Sequence, residues 1–342
     1  MPFSQTFFVI LQAYFAMRDY ISEISRPIEK ELEQFTQMFQ QALSHADGTL
    51  EHALNYILQR TGKRMRPMLT LLIAKNYGEV TAETYRAGVG LELLHTASLV
   101  HDDVVDEADK RRGQNSLNSV YGNQMAVLIG DYILSTALLN VAQTNNTEIV
   151  KCLSELGQTL SNGEILQLTS NASNEISEEA YFSIIGQKTA ALFEACCAMS
   201  AMSVGASKED VTEARLFGKK LGMIFQIRDD IFDYYESKKV GKPTGNDMAE
   251  GKLTLPAIYA LLSTNDSTMR DIAQRVKSRC ATPEEIANLI SFTKENGGIE
   301  YAEKVMHTLR KETQRYIDER VGDSELKQSL TAYLDYIIER SI

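Results

Sequence analysis

The sequence predicts an all-α protein: a single large bundle of long helices around a central cavity. Three observations predict it. Only six prolines interrupt 342 residues, and the glycines sit mostly between long segments of apolar periodicity. Those segments are rich in Ala, Leu, Glu, Gln and Met, all good helix formers. No hairpin signal and no alternation of strand and helix patterns is found.

The elements follow in order. The opening "MPFSQTFFVILQAYFAM" is apolar, lacks a basic leading segment and is too short to span a bilayer comfortably. From Met17 the pattern "RDYISEISRPIEKELEQF" reads as ordinary helix. Residues 1–16 are therefore read as a non-native or accessory extension, and 17–342 as one all-α domain. A helix is expected over 28–42 and another over 50–59, broken by "TGKRMRP". Pro67 suits the first turn of the next helix. Thr81 can cap the long segment "AETYRAGVGLELLHTASLVHDDVVDEA". Helices are then expected around 124–143, 148–167, 178–204 and 208–235. The Gly/Pro-containing loop "KKVGKPTGNDMAEGK" follows, with helices again to the C-terminus. No linker divides the chain.

The net charge is −11 and the pI about 5.1, which argues against a nucleic-acid partner. A phosphorylated small molecule remains compatible, since a local basic pocket can sit on an acidic protein. The four cysteines, Cys152, Cys196, Cys197 and Cys280, lack zinc-site spacing and are too few to staple the chain. A reducing, cytoplasmic setting fits them.

Chemistry concentrates in "HDDVVDEADKRRG". Asp102, Asp103 and Asp106 fall within little more than one helical turn, where residues at i, i+3 and i+4 share a face. Carboxylates so placed repel unless cations lie between them. "QIRDDIFDYYE" repeats the spacing with Asp229, Asp230 and Asp233, again ending a long apolar helix. One such cluster is a common solvated helix end, but two with identical spacing point to function. Hard oxygen ligands in this number suit Mg²⁺, which keeps waters and bridges to substrate phosphates. Basic residues accompany both clusters: Arg111 and Arg112 after the first, Lys242 and Lys252 near the second, and Lys63 and Arg66 in the "TGKRMRP" break. Arginine reads phosphate bidentately and lysine as a point charge.

The ordered set "GKRMRP", "ELLHTASLVHDDVVDEADKRRG", "GEILQ", "GQKTA", "FQIRDDIFDY" and "GKPTGNDMAEGKLTLP" resembles the trans-isoprenyl diphosphate synthases, over about Arg60 to Pro256. The two-residue spacer in "DDVVD" is similar to the medium- and long-chain branch, homodimeric polyprenyl synthases that make quinone side chains. Thr61, Met65 and Asn115 depart from the family's frequent residues without removing a charged group.

The resemblance implies an isoprenoid-synthase fold and a residue-by-residue assignment. Asp102, Asp106 and Asp229 would bind Mg²⁺, about three ions per active site, supported by Asp103, Asp230 and Asp233. Arg111, Lys188, Lys242 and Lys252 would hold the allylic diphosphate. Lys63, Arg66, His95 and Arg112 would hold isopentenyl diphosphate. Thr189 and Gln226 would face the allylic carbon as its C–O bond breaks and positive charge develops. The double bond of isopentenyl diphosphate then attacks, and the departed diphosphate takes the released proton. The loop "KKVGKPTGNDMAEGK" would act as a lid. A homodimer and peripheral membrane contact by a protein with a lipid product are further implications.

Product length is legible one turn before Asp102, where Ala97 and Ser98 are both small. Short-chain members of the family carry an aromatic floor near there. From Ser98 back to Ala82 is ~24 Å of helix, room for about five more isoprene units. The expected product is about C30–C50, centred near C40, unless Leu93, Leu94 or the 124–143 helix closes the tunnel earlier. A terpene cyclase would not need Lys63, Arg66, His95 and Arg112. A non-catalytic partner subunit is expected to have lost acidic residues from one motif.

Overall fold

The computed structural model describes residues 19–45, 48–59, 62–111, 113–173, 175–235, 244–264 and 266–340. Caps and turns set the helix boundaries. α1 (Tyr20–Ser25) runs through a 3₁₀ turn containing Pro27 into α2 (Glu29–Ala42), and α3 (Gly48–Leu58) follows. α4 (Met65–Tyr77) is entered through Arg64, whose left-handed φ of 53° turns the chain. Pro67 lies in its first turn, where a missing N–H leaves no broken bond. Thr81 caps α5 (Ala82–Val105) in a reciprocal box with Thr84.

α5 ends sooner than the sequence suggests, because Glu107 takes a left-handed φ of 51°. The chain then forms a minimal antiparallel ladder that the sequence reading missed: β1 (Lys110–Arg111) pairs with β2 (Gln114–Asn115). α6 (Leu117–Tyr121), α7 (Asn123–Ala142) and α8 (Thr147–Ala172) follow. The helix expected over 178–204 is three pieces: α9 (Glu178–Ile185), a π turn at Gly186–Ala190, and α10 (Ala191–Ser203). α11 (Lys208–Phe232) carries the second acidic motif at its C-terminal end. The short α12 (Asn246–Ala249) is followed by α13 (Leu255–Ser263), α14 (Ser267–Lys277), α15 (Pro283–Glu295), α16 (Gly298–Arg320) and α17 (Ser324–Glu339).

α5 and α10 form the centre. α5 packs against α7, α10, α4 and α8, and α10 against α11, α4 and α8. Buried α5 residues such as Val89, Leu91, Leu93, Leu94 and Ala97 point in all directions, as expected of a helix enclosed by others. Gly90 brings α5 and α7 close to backbone contact: a Cβ there would lie 2.6 Å from Val141 Cγ1 and 3.1 Å from the Ala137 carbonyl. Cys196 and Cys197 are free and buried in this core. The His101 ring lies against Gly130 of α7, with Nε2 3.3 Å from Asp131 Oδ1, a packing role.

One face is left apolar and open. Leu128 and Leu139 of α7 are each 63% exposed, beside exposed Val127 and Leu138. Ile165 and Leu168 of the neighbouring α8 are also exposed. Among the described residues α7 is also long and apolar enough to cross a membrane, although it packs against α5 and α8.

Candidate active site

The first acidic motif occupies the last turn of α5 and its three carboxylates are not equivalent. Asp103 is buried and accepts a 2.6 Å hydrogen bond from Arg111 Nε, so the short ladder serves to aim Arg111 back at the helix end. Asp106, the C-cap, is exposed. Asp102 lies between. Burial, and then the charges of Glu164 and Asp106, raise its pKa to about 6 against the pull of Lys188 and Arg111.

The π turn presents Lys188 and Thr189. Lys188 Nζ pairs with Glu164 of α8 at 2.5 Å, and Thr189 Oγ1 donates to Gln226 Oε1 of α11 at 2.7 Å. Wide turns of this kind recur at functional sites because they re-aim side chains. Two glycines clamp it. A Cβ on Gly163 would lie 3.0 Å from the Lys188 nitrogen, and one on Gly222 2.5 Å from Ala190 Cα. Gly222→Ala is therefore expected to cost about 1–3 kcal/mol of stability and to lower kcat by about 10²-fold as Thr189 shifts. Thermal melting and steady-state rates check this, and an unchanged kcat contradicts the clamp.

The second motif ends α11. Asp230 is fully buried and accepts from Tyr181 Oη at 2.5 Å and from Gln226 Nε2 at 2.8 Å. Burial, then the charge of Asp247, pushes its pKa well up, while the two hydrogen bonds oppose the rise. Asp233 caps the next short helix, accepting from the backbone N–H groups of Asn246 and Asp247, both at 3.0 Å. Asp229, expected to bind Mg²⁺, pairs with the Arg340 guanidinium, which lies 3.8 Å from the Phe225 ring centroid.

Asp247 was not singled out in the sequence, yet it completes this wall. Burial, then Asp233, raises its pKa to about 7. Lys252 joins the two walls: burial lowers its pKa, but Glu250, then Asp247 and Asp106, outweigh that and raise it. Asp106 of the first motif and Asp247 beside the second thus act on the same ammonium group. A cavity of about 120 Å³ lies on the second-motif side, lined by Lys188, Thr189, Gln226, Asp230, Asp247 and Lys252.

Whether a divalent cation fits can be read from these carboxylates. Among the described residues no three His, Cys, Asp or Glu side chains converge as a preformed metal cage. Instead Asp102 and Asp247 are held near pKa 6 and 7 by burial and by neighbouring acids, a charge excess that a cation would relieve. That matches Mg²⁺ bound through a few carboxylates, water and substrate phosphate, rather than a dedicated cage.

Two of the expected isopentenyl diphosphate residues, Lys63 and Arg66, lie at the start of α4. Lys63 is exposed, with Nζ 5.2 Å from the Tyr336 ring centroid of α17. Arg66 is held by both oxygens of Glu92, at 3.1 and 3.4 Å. His95 is partly buried on α5. Arg112 and Lys242 lie outside the described residues, as do residues 1–16 and positions 238–243 of the expected lid. Glu92, Glu164, Tyr181, Asp247, Tyr336 and Arg340 were not assigned roles from the sequence. Glu92, Glu164 and Asp247 lay inside quoted motifs; the others carry no local signal.

The tail route is more closed than expected. Ala97 is 1% exposed, in the core. One turn further on, Leu94 is also buried, and its Cδ1 lies 3.8 Å from a Cβ built on Gly157 of α8. Leu94 therefore stands in the region where the room for about five more units was estimated from helix length.

An all-α bundle with two acidic helix ends, the second bordering a lysine-edged cavity, is the architecture of the isoprenoid-synthase class of enzyme, which ionises metal-held diphosphate esters. The chain belongs to the polyprenyl synthetase family, whose model matches residues 47–292, and it is a prenyltransferase. It is 34% identical over 289 residues to octaprenyl diphosphate synthase of Haemophilus influenzae, covering 84% of this chain and 87% of that one. It is 34% identical over 310 residues to heptaprenyl diphosphate synthase component 2 of Geobacillus stearothermophilus, covering 86% and 91%. Among solved structures, geranylgeranyl pyrophosphate synthase from Bacteroides thetaiotaomicron matches with 48% identity and a TM-score of 0.83, over 94% of this chain and all of that one.

Proposed function

We propose that the protein is a Mg²⁺-dependent trans-polyprenyl diphosphate synthase that adds isopentenyl diphosphate units to an allylic diphosphate such as the C15 compound. One observation carries the reading: Lys252, half-buried beside the cavity and paired with Glu250 at 2.6 Å, also feels acids from both motif regions, Asp247 and Asp106. A lone acidic helix end would show no such convergence.

In this reading Asp102, Asp106 and Asp229 hold Mg²⁺, and Asp229 exchanges Arg340 for it. When bound, the metal neutralises charge building on the departing diphosphate. Arg111, Lys188, Lys242 and Lys252 grip the same diphosphate. Asp103 fixes Arg111, and Glu164 fixes Lys188. Lys63, Arg66, His95 and Arg112 hold isopentenyl diphosphate, with Glu92 orienting Arg66. The oxygens of Thr189 and Gln226 face the carbon that becomes positive, and the surrounding core keeps water from quenching it. Both motifs are intact, which favours a catalytic chain over a silent partner subunit. The test is incorporation of labelled isopentenyl diphosphate into organic-soluble product with and without Mg²⁺. Incorporation that survives removal of divalent metal refutes the reading.

Two product lengths have support. The small Ala97 and Ser98, with relatives named for octaprenyl and heptaprenyl products, favour about C30–C50, destined for a quinone side chain. The buried Leu94, with the 48% identical structure named for a geranylgeranyl product, favours C20. The longer product requires Leu94 to swing aside as the chain grows.

The open apolar face of α7 and α8 is assigned to a second copy of this chain, giving a cytoplasmic homodimer. Replacing Leu128 and Leu139 together by Glu is expected to shift the molecular mass in solution from twice to once that of the 38.3 kDa chain. Light scattering after gel filtration reads this, and an unchanged mass argues against the face.

A further inference from the structure

Tyr181 belongs to none of the acidic or basic motifs. It sits on α9, is buried, and points its hydroxyl at Asp230 Oδ2 of α11, 2.5 Å away. The other oxygen of Asp230 takes the Gln226 amide N–H at 2.8 Å, and Gln226 Oε1 accepts from Thr189 at 2.7 Å. The four side chains form one line across three elements, and all four border the cavity.

The line has a direction. A glutamine amide can be turned end for end, offering either its carbonyl oxygen or its NH₂. Here Asp230 takes an N–H, so the oxygen end is turned to Thr189. The Thr189 hydrogen is in turn spent on that oxygen, so the hydroxyl keeps only lone pairs for the cavity. The Thr189 and Gln226 oxygens are thereby set side by side at the cavity, the polarity suited to a carbon gaining positive charge. Without the Tyr181 hydroxyl, one oxygen of Asp230 loses its donor and the carboxylate can rotate, taking the amide with it.

We propose that Tyr181, through Asp230, is a positioning residue that fixes the orientation of the Gln226 amide and so the oxygen pair facing the allylic carbon. This rests on the synthase reading, in which Thr189 and Gln226 flank that carbon. The Tyr181 hydroxyl bonds to Asp230 and not to a basic side chain assigned to either diphosphate, so its loss should reach the chemical step and spare binding.

The test is steady-state kinetics on full-length wild type, Tyr181→Phe, Gln226→Leu and the double variant, with farnesyl diphosphate, isopentenyl diphosphate and Mg²⁺ each varied. Tyr181→Phe should lower kcat by about 10–10²-fold, with KM for both diphosphates and the Mg²⁺ requirement changed by less than about twofold. In the Gln226→Leu background it should cause no further loss, because residues in one chain are not additive. Unchanged kcat, a rise in KM with kcat intact, or equal losses in both backgrounds overturns the proposal. Should Tyr181→Phe fold poorly by circular dichroism, Asp230→Asn reads the same chain from α11. It must lower kcat without raising KM, and an unchanged kcat is fatal to the idea. Wild-type protein that elongates no primer overturns the synthase reading and this proposal together. Wild-type activity with an indifferent Tyr181→Phe overturns only the proposal.

Discussion

Asp102→Asn lowers condensation by about 10³-fold and, at pH 7 without metal, raises the melting temperature. Both effects have one cause. Burial, with Glu164 and Asp106 nearby, raises the Asp102 pKa from 3.8 to about 6. A carboxyl whose folded pKa is raised binds its proton more tightly when folded, so protonation favours the fold. The cost of ionising it is absent below about pH 4, grows between about pH 4 and 6, and is constant above. Asparagine escapes that cost, giving about 1–3 kcal/mol at pH 7 and nothing at pH 4. The same group must be ionised to hold metal, so wild-type activity should fall as pH drops through about 7 and 6, where Asp247 and Asp102 take up protons. Melting curves at the two pH values check the first effect. A lower melting temperature for the variant at pH 7 would show that the aspartate serves the fold rather than the metal.

Ala97→Tyr shortens the product to about C15 or C20, since a tyrosine reaches about one isoprene unit, ~5 Å, into the tail route. Ala97 lies one turn before Asp102 on the central helix and is almost wholly buried, so the ring can only occupy space inside the bundle. The first condensation should proceed at close to the wild-type rate, because no diphosphate contact is touched. Leu94→Ala acts in the opposite sense, removing the side chain that meets Gly157 and lengthening the product. Product lengths read after dephosphorylation check both. If neither substitution moves the length, the tail does not run along α5.

The helices and the two acidic motifs were legible in the sequence because both are periodic. Apolar residues recurring at helical spacing mark the bundle, and Asp102, Asp103 and Asp106 repeat at the spacing of Asp229, Asp230 and Asp233. What escaped depends on contacts between distant segments. Glu164 and Asp247 are single acids that matter because tertiary packing sets them against Asp102 and Asp233. Tyr181 reads as an ordinary core tyrosine until α11 brings Asp230 to it. Arg340 reaches Asp229 from more than a hundred positions away. The π turn hides inside a stretch whose composition is that of a plain helix, and the clamp made by Gly163 and Gly222 appears only once three helices are assembled. A two-residue strand falls below any hairpin pattern, so the device that aims Arg111 was also invisible. The sequence already offers Leu94 as a residue that could close the tail route, and its burial beside Gly157 keeps that reading open.

The most direct measurement incubates purified protein with Mg²⁺, labelled isopentenyl diphosphate and farnesyl diphosphate, and resolves the dephosphorylated products by chain length. The account predicts a Mg²⁺-dependent ladder extending beyond C15, ending near C40 if Leu94 yields and at C20 if it holds. No elongation from C10, C15 or C20 primers would contradict the account.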